Sequence, residues 1–338
     1  MIAQPRHALR ALALTVTLLL GLLVIGMLAL QQGTPTLTPG QLSAILFAGE
    51  GERLTRIVVL ELRLPRLALG IASGALLALS GVILQDTLRN PLAGPELLGI
   101  TGGAALIVGA ITIFRLPAPA ALVPWFTLAG GLAGGLVVLL AAQSMRSTLR
   151  LILVGASVTA FLNALLIGMI SLATQNDVNL LFLFLVGSLA NRTWAHLAIV
   201  LPWALLGVPA ALLCARLLNV LQLGDDLAAG LGLAVAPVRL LLLVIGAALV
   251  AAVVAVCGPI GWVALLAPHL ARRVLATPNA AYVLPIAALI GAALLTSADL
   301  LARLVLAPTE LPVGIWTTLL GGPLLLILLR SHVGVRHE

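Results

Sequence analysis

Residues 216–273 read RLLNVLQLGDDLAAGLGLAVAPVRLLLLVIGAALVAAVVAVCGPIGWVALLAPHLARR, and the break inside this stretch decides the fold. Two long apolar runs meet here. Between them, up to Arg239, the chain is punctuated by Gly and Pro and carries Arg216, Asp225, Asp226 and Arg239. The pattern predicts a short helix. Gly224 stops the preceding helix, and Asp225 is placed to cap the free N–H groups of a new one. Asp226 falls in the first turn, where the helix dipole favours negative charge. Gly230 and Gly232 supply the left-handed residue that ends a helix, and Pro237 suits the first turn of the next. A compact helical element between two membrane spans can fit a groove on a soluble partner and pass motion to the spans. The plainer reading is a short amphipathic surface loop without a partner, and spacing alone does not separate the two.

The flanking runs are typical of the whole chain. Of its 338 residues 62% are hydrophobic and 9% charged, with a mean hydropathy of +1.21. No soluble core hides that much apolar surface, so the expected fold is an all-α integral membrane protein. The net charge of +7 comes from Arg with no Lys, scattered and without interleaved aromatics. That excludes a nucleic-acid surface and points to membrane topology. Cys214 and Cys257 end apolar runs, have no partner at metal-ligand spacing and imply no disulfide. Arg6 and Arg10 precede a run from Ala11 to Leu30 that is long enough to span, and it is read as a first transmembrane helix rather than a signal peptide.

Apolar runs begin near Ala8, Arg63, Leu97, Ala120, Leu149, Thr193, Val238, Trp262, Ala281 and Val313. That makes about ten spans at roughly 20 residues each, the run after Trp262 being short and interrupted by Pro268. With ten spans and an internal N-terminus, 11 of the 18 Arg fall inside and 7 outside. A re-entrant run after Trp262 would give 8 inside and 10 outside. The positive-inside rule favours ten spans with both termini cytoplasmic. Gly70, Ser73, Gly74, Ser80 and Gly81 in the second span are read as close helix packing. Arg89 to Pro95 reads as a tight inner turn, and Leu180 to Val186 as a short apolar piece on the outside. The chain reads as a single transmembrane domain over 1–338, with the interrupting element at about 216–239 on the cytoplasmic side.

Without Lys the chain cannot supply a phosphate-binding Gly-x-x-x-x-Gly-Lys-Ser/Thr loop. It holds neither His-Glu-x-x-His nor a Gly-x-Ser-x-Gly nucleophile elbow, so it is read as no enzyme. Of the five histidines, His7, His332 and His337 lie in the terminal tails, and His196 and His269 are read as structural. Asp299 is the clearest acid inside a span. Arg303, four residues on, shares its helical face and offers an internal pair. A proton-coupled transporter would want more such acids near the midplane.

In this order and spacing the residues match a known family. Arg63-Leu64-Pro65-Arg66 opens the second span, and Gln85 is followed by Arg89-Asn90-Pro91-Leu92-Ala93. Then come Leu98-Gly99-Ile100, Gly102-Gly103-Ala104, Leu223-Gly224-Asp225-Asp226 and Leu231-Gly232. Gly258-Pro259-Ile260, Ala267-Pro268-His269, Asp299, Arg303 and Glu310-Leu311-Pro312-Val313-Gly314 close the pattern. Together they resemble the FecCD-like permeases of type II ABC importers, which take up iron–siderophore complexes, haem or vitamin B12. The likeness runs over nearly the whole chain. It departs at Trp262, where Phe is usual, at Ala264 for Gly, and at Phe184 for Trp.

The resemblance implies ten helices per subunit and a second permease copy or homologous permease, with the pathway on the shared axis. It implies an ABC ATPase dimer beneath and a periplasmic substrate-binding protein outside, in the bacterial inner membrane. By analogy Arg63, Arg66 and Arg303 receive acidic residues of the binding protein, and charge at the outer ends of spans suits fast, oriented encounter. The other reading makes them anchors of helix ends. Gly224, Asp225, Asp226, Leu231 and Gly232 match the element that meets the ATPase, and Ser147 and Thr148 match a cytoplasmic gate. No cofactor is expected on this chain; ATP-Mg belongs to the partner ATPase. Likeness around Gly224 and Ala267 leans to a ferric siderophore over haem or cobalamin. A rival from another class is an ion-coupled secondary transporter.

Overall fold

The computed structural model describes residues 5–142, 148–307 and 309–333. Among these the chain is helical throughout. Its helices are α1 (Pro5–Gln31), α2 (Pro39–Ser43), α3 (Arg53–Ile57), α4 (Leu64–Thr87), α5 (Ile100–Ile113), α6 (Val123–Ala142), α7 (Thr148–Ile170) and α8 (Gln175–Val186). They continue with α9 (Trp194–Leu213), α10 (Ala215–Leu221), α11 (Asp225–Gly230), α12 (Val235–Cys257), α13 (Val263–Leu275), α14 (Ala280–Leu304) and α15 (Val313–Val333). A π-helical turn over Val58–Arg63 joins α3 to α4. Among the described residues 7 helical stretches are long and apolar enough to cross a membrane: α1, the continuous α3–α4 stretch, α6, α7, α9, α12 and α14.

All ten predicted runs become helices; α5 is shorter than its run implied, and α13 is short, as its run already read. α5 has 14 residues and α13 has 13, about 20 Å each at 1.5 Å per residue. A local cause is visible at each. The chain from Leu88 to Gly99 stays out of regular α-helix, with only a 3₁₀ turn over Pro95–Leu98, so α5 starts late. Between Cys257 and Val263 the backbone leaves helical geometry, with φ of 72° at Gly258 and 68° at Trp262. The indole of Trp262, one of the departures from the family pattern, packs on Gly321 and Gly322.

α4 is the centre of the bundle and packs on α14, α12, α13 and α9. Every residue from Leu76 to Thr87 is buried, as is every residue of α12 from Leu249 to Cys257. A helix apolar all round belongs in the interior. Small residues bring the backbones together. A Cβ on Gly74 would overlap the Gly291 carbonyl of α14, and one on Gly291 would overlap that of Gly74. The second-span glycines thus serve the close packing expected of them. Ser80 donates to the Gly246 carbonyl of α12 at 2.9 Å, a polar tie inside an apolar core. α5, α6 and α7 form a second packed group joined to α12. α1, α7 and α9 keep most of their apolar side chains on the outside of the bundle.

Candidate functional site

Three sites matter: an arginine cluster where α1, α4 and α14 meet, a cavity at mid-bundle, and the α11 element at the other end of α4.

In the first, Arg63 is 6% exposed. Its guanidinium donates to the carbonyls of Leu30 at 2.8 Å, Gln31 at 3.2 Å and Pro35 at 2.6 Å. Leu30 and Gln31 are the last residues of α1, whose free carbonyls need donors and whose dipole favours a cation. Arg303 donates to Ala29 of the same helix end at 3.2 Å. Arg66 differs. It grips Asp299 through Nε and Nη2 at 2.9–3.1 Å and reaches Glu310 through Nη1 at 2.8 Å. Asp299 is 7% exposed at its side chain and Glu310 42%. The expected internal pair of Asp299 with Arg303 is present, with Nε of Arg303 at 3.6 Å, and Arg66, on another helix, joins it as the closer partner. All three arginines are thus engaged inside the chain, and only Arg66 touches an acid open to solvent.

The mid-bundle cavity has a volume of about 550 Å³. Its wall includes Leu77 of α4, Thr159 and Asn163 of α7, Val254 of α12 and Thr318 of α15. Among the described residues Glu96 of the 3₁₀ turn is its one ionisable lining residue. Thr159, midway along α7, donates to the Glu96 carbonyl at 3.0 Å. One helical turn away, a Cβ on Gly155 would overlap the Leu97 carbonyl, so α7 seats this turn closely. The turn therefore lies at the middle of a membrane-crossing helix. Irregular backbone at that depth is tolerated where it lines a cavity. The inner turn read from the sequence ends at Pro95, and Glu96, the next residue, carries no signal of its depth along the chain.

At the other end of α4, α11 runs over Asp225–Gly230. Its N-cap is Gly224, with φ of 106° and no side-chain cap, so the expectation that Asp225 caps is corrected. The Asp225 carboxylate instead accepts from Arg239 at 2.7 Å and pairs with Arg89 at 3.1 Å. That ties the element to the start of α12 and to the turn after α4. Gly232, with φ of 85°, ends it as predicted. The N–H groups of Gly232 and Leu233 bond back to Ala229 and Ala228, the Schellman arrangement. Ala228 is fully buried, whereas Leu223, Leu227 and Leu231 are 54–67% exposed, and Asp226 is exposed too. Leu227 of α11 and Leu231, its C-cap, stand four residues apart and expose one apolar face, with Leu223 exposed just before the helix. Close by, Arg272 of α13 holds Gln85 at 2.6 Å and Asp86 at 2.8 Å. Of the gate residues, Ser147 lies outside the described residues, and Thr148 is the first residue of α7.

A helical bundle with several stretches apolar enough to cross a membrane, a cavity at mid-bundle and an anchored element at one end suits a transport permease. The model of the FecCD transport family matches residues 20–331, and the chain belongs to that family. A probable siderophore transport system permease of Bacillus subtilis is 37% identical over 84% of this chain and 84% of its own length. The ferric dicitrate permease FecD of Escherichia coli is 40% identical over 79% and 83%. The hemin permease HmuU of Yersinia pestis is 40% identical over 80% and 82%. A solved structure described as an inward-facing metal-chelate type ABC transporter superposes with a TM-score of 0.83 at 30% identity, over 94% of this chain and 98% of that one.

Proposed function

We propose that this permease carries a ferric siderophore inward across a bacterial inner membrane by alternating access, driven by an ATPase dimer on separate subunits. The chain is the permease of a type II ABC importer for iron chelates; relatives are named for siderophore, ferric dicitrate and hemin. The siderophore is our choice among these.

The observation that carries the mechanism is the α11 element. It is pinned by Asp225 between Arg89 and Arg239 while Leu223, Leu227 and Leu231 face outward. An apolar face held on an ionic anchor suits a groove on an ATPase, with Asp226 at its rim and Leu231-Gly232 closing the element. Closure of the ATPases pushes α11, and the ion pairs pass the push to α4 and α12. ATP-Mg binds on that partner, and this chain holds no cofactor. Both termini lie in the cytoplasm. Ser147 and Thr148 form the inner gate where two permease copies meet, and lipid covers the outer faces of α1 and α9.

On the opposite side a periplasmic binding protein docks through its acids. In this scheme Arg63 and Arg303 hold the end of α1 and set the positive field, and Arg66 makes the exchange. A carboxylate of the partner displaces Glu310, the more exposed of the two acids on Arg66. The deciding experiment is uptake by the reconstituted complex with its binding protein and a loaded siderophore. Vanadate-sensitive accumulation that vanishes when the ATPase is left out is expected. Accumulation that persists in ATP but collapses with an uncoupler would mark a secondary transporter instead.

A further inference from the structure

We propose that Glu96 selects the charge of the cargo, so that this permease takes ferric chelates of zero or positive net charge, trihydroxamates above all, and disfavours polyanionic ones. The inference rests on the iron-chelate reading above and narrows it. The relatives do not decide the matter, because their named cargoes include both ferric hydroxamate and ferric dicitrate.

The argument starts from the cavity wall. Its polar groups are the hydroxyls of Thr101, Thr159 and Thr318 and the amide of Asn163, all uncharged, and the carboxylate of Glu96. Among the described residues no Arg, Lys or His lines it. The hydrogen bond from Thr159 fixes the backbone of Glu96 at the middle depth of α7, its side chain is exposed, and in this proposal the open cavity is part of the cargo path. An ionisable side chain at that depth is costly to keep and marks a pathway.

The chemistry of the cargo supplies the discrimination. Three hydroxamates cancel the charge of ferric iron, whereas three catecholates leave a trianion, and citrate complexes are also anionic. In a cavity walled by apolar side chains a carboxylate repels a polyanion far more strongly than water would allow. A trihydroxamate meets no such field, and its amides find partners in the threonines and Asn163. A protonated Glu96 would still offer a polyanion no cation. Rejection by like charge is specificity achieved by repulsion, and it adds to whatever the binding protein selects.

The test uses the complete permease–ATPase complex, nucleotide-free in lipid nanodiscs and without binding protein, so that the binding protein's own preference is absent. The probes are radio-iron complexes of a linear trihydroxamate and of a triscatecholate. Wild type should retain the trihydroxamate at least about ten-fold better. Glu96→Gln should narrow that ratio several-fold by raising triscatecholate retention, Glu96→Arg should narrow it further, and Glu96→Asp should preserve it. Elution of each variant complex at the wild-type position separates a charge effect from misfolding, and Glu96→Arg carries the comparison if Glu96→Gln fails to assemble. Equal retention of the two chelates by wild type, or an unchanged ratio in an assembled Glu96→Gln complex, overturns the proposal. Retention of neither chelate by a complex that accumulates a cargo without iron overturns the iron-chelate reading itself, and this inference with it.

Discussion

Arg66 sits between two acids of unequal access, and the difference gives each a separate prediction. Asp299 is buried against Arg66 and Arg303. Asp299→Ala leaves two guanidinium groups without their carboxylate. Breaking a buried pair from one side costs about 3 kcal/mol or more, so thermal unfolding in detergent should show a large loss of stability. Glu310 is only an exposed half-partner. Glu310→Gln removes an attraction of about 1 kcal/mol or less and frees Arg66 for an incoming acid. Affinity for the binding protein should therefore rise a few-fold, and the gain should shrink with added salt. Unchanged affinity in Glu310→Gln, with Arg66→Gln also silent, would remove Arg66 from the docking surface. The sequence carried the residues of this cluster and the Asp299–Arg303 pair, but not the tie to Arg66. Arg303 is four positions from Asp299 and was the natural partner, whereas Arg66 lies 233 positions away. No local spacing shows such a contact. Glu96 was hidden for a related reason: Pro and Gly around it spell a turn, and nothing local tells the depth of a turn in the membrane.

Among elements, α11 was the most legible, because Gly, Asp and Pro interrupt an apolar run and stand out against it. Its boundaries and its Gly232 ending follow from those residues. What could not be read was which face it presents, since leucine is so common in this chain that Leu223, Leu227 and Leu231 carry no signal. Their exposure beside water now gives a prediction. Leu227→Asp should weaken association with the ATPase roughly ten-fold or more, from the loss of one buried leucine, measured by co-purification at graded protein concentrations. Asp225→Asn acts differently: it loosens the ties to Arg89 and Arg239 without touching the apolar face. ATPase association should survive, and uptake per ATP hydrolysed should fall. Equal loss of both would mean that Asp225 contacts the ATPase itself. The α4–α14 contact gives a packing prediction. Gly74→Val drives a branched side chain into the Gly291 carbonyl, and the protein should no longer run as a single species on size exclusion. The glycines of α4 were legible as packing residues, but their partner helix was not, because the two sequences meet only through the fold.

For the molecule as a whole, the account is of a gate without a motor. The seven long apolar stretches, with α4 at their centre, supply the frame, and a cavity opens between α4, α7, α12 and α15. In the proposed function the force enters at α11 and the direction of transport comes from the separate ATPase. The most direct measurement compares proteoliposomes holding the permease alone with proteoliposomes holding the permease and its ATPase, both given the loaded binding protein and ATP. Accumulation against a gradient only when the ATPase is present is the predicted result. Uphill accumulation by the permease alone would contradict the account.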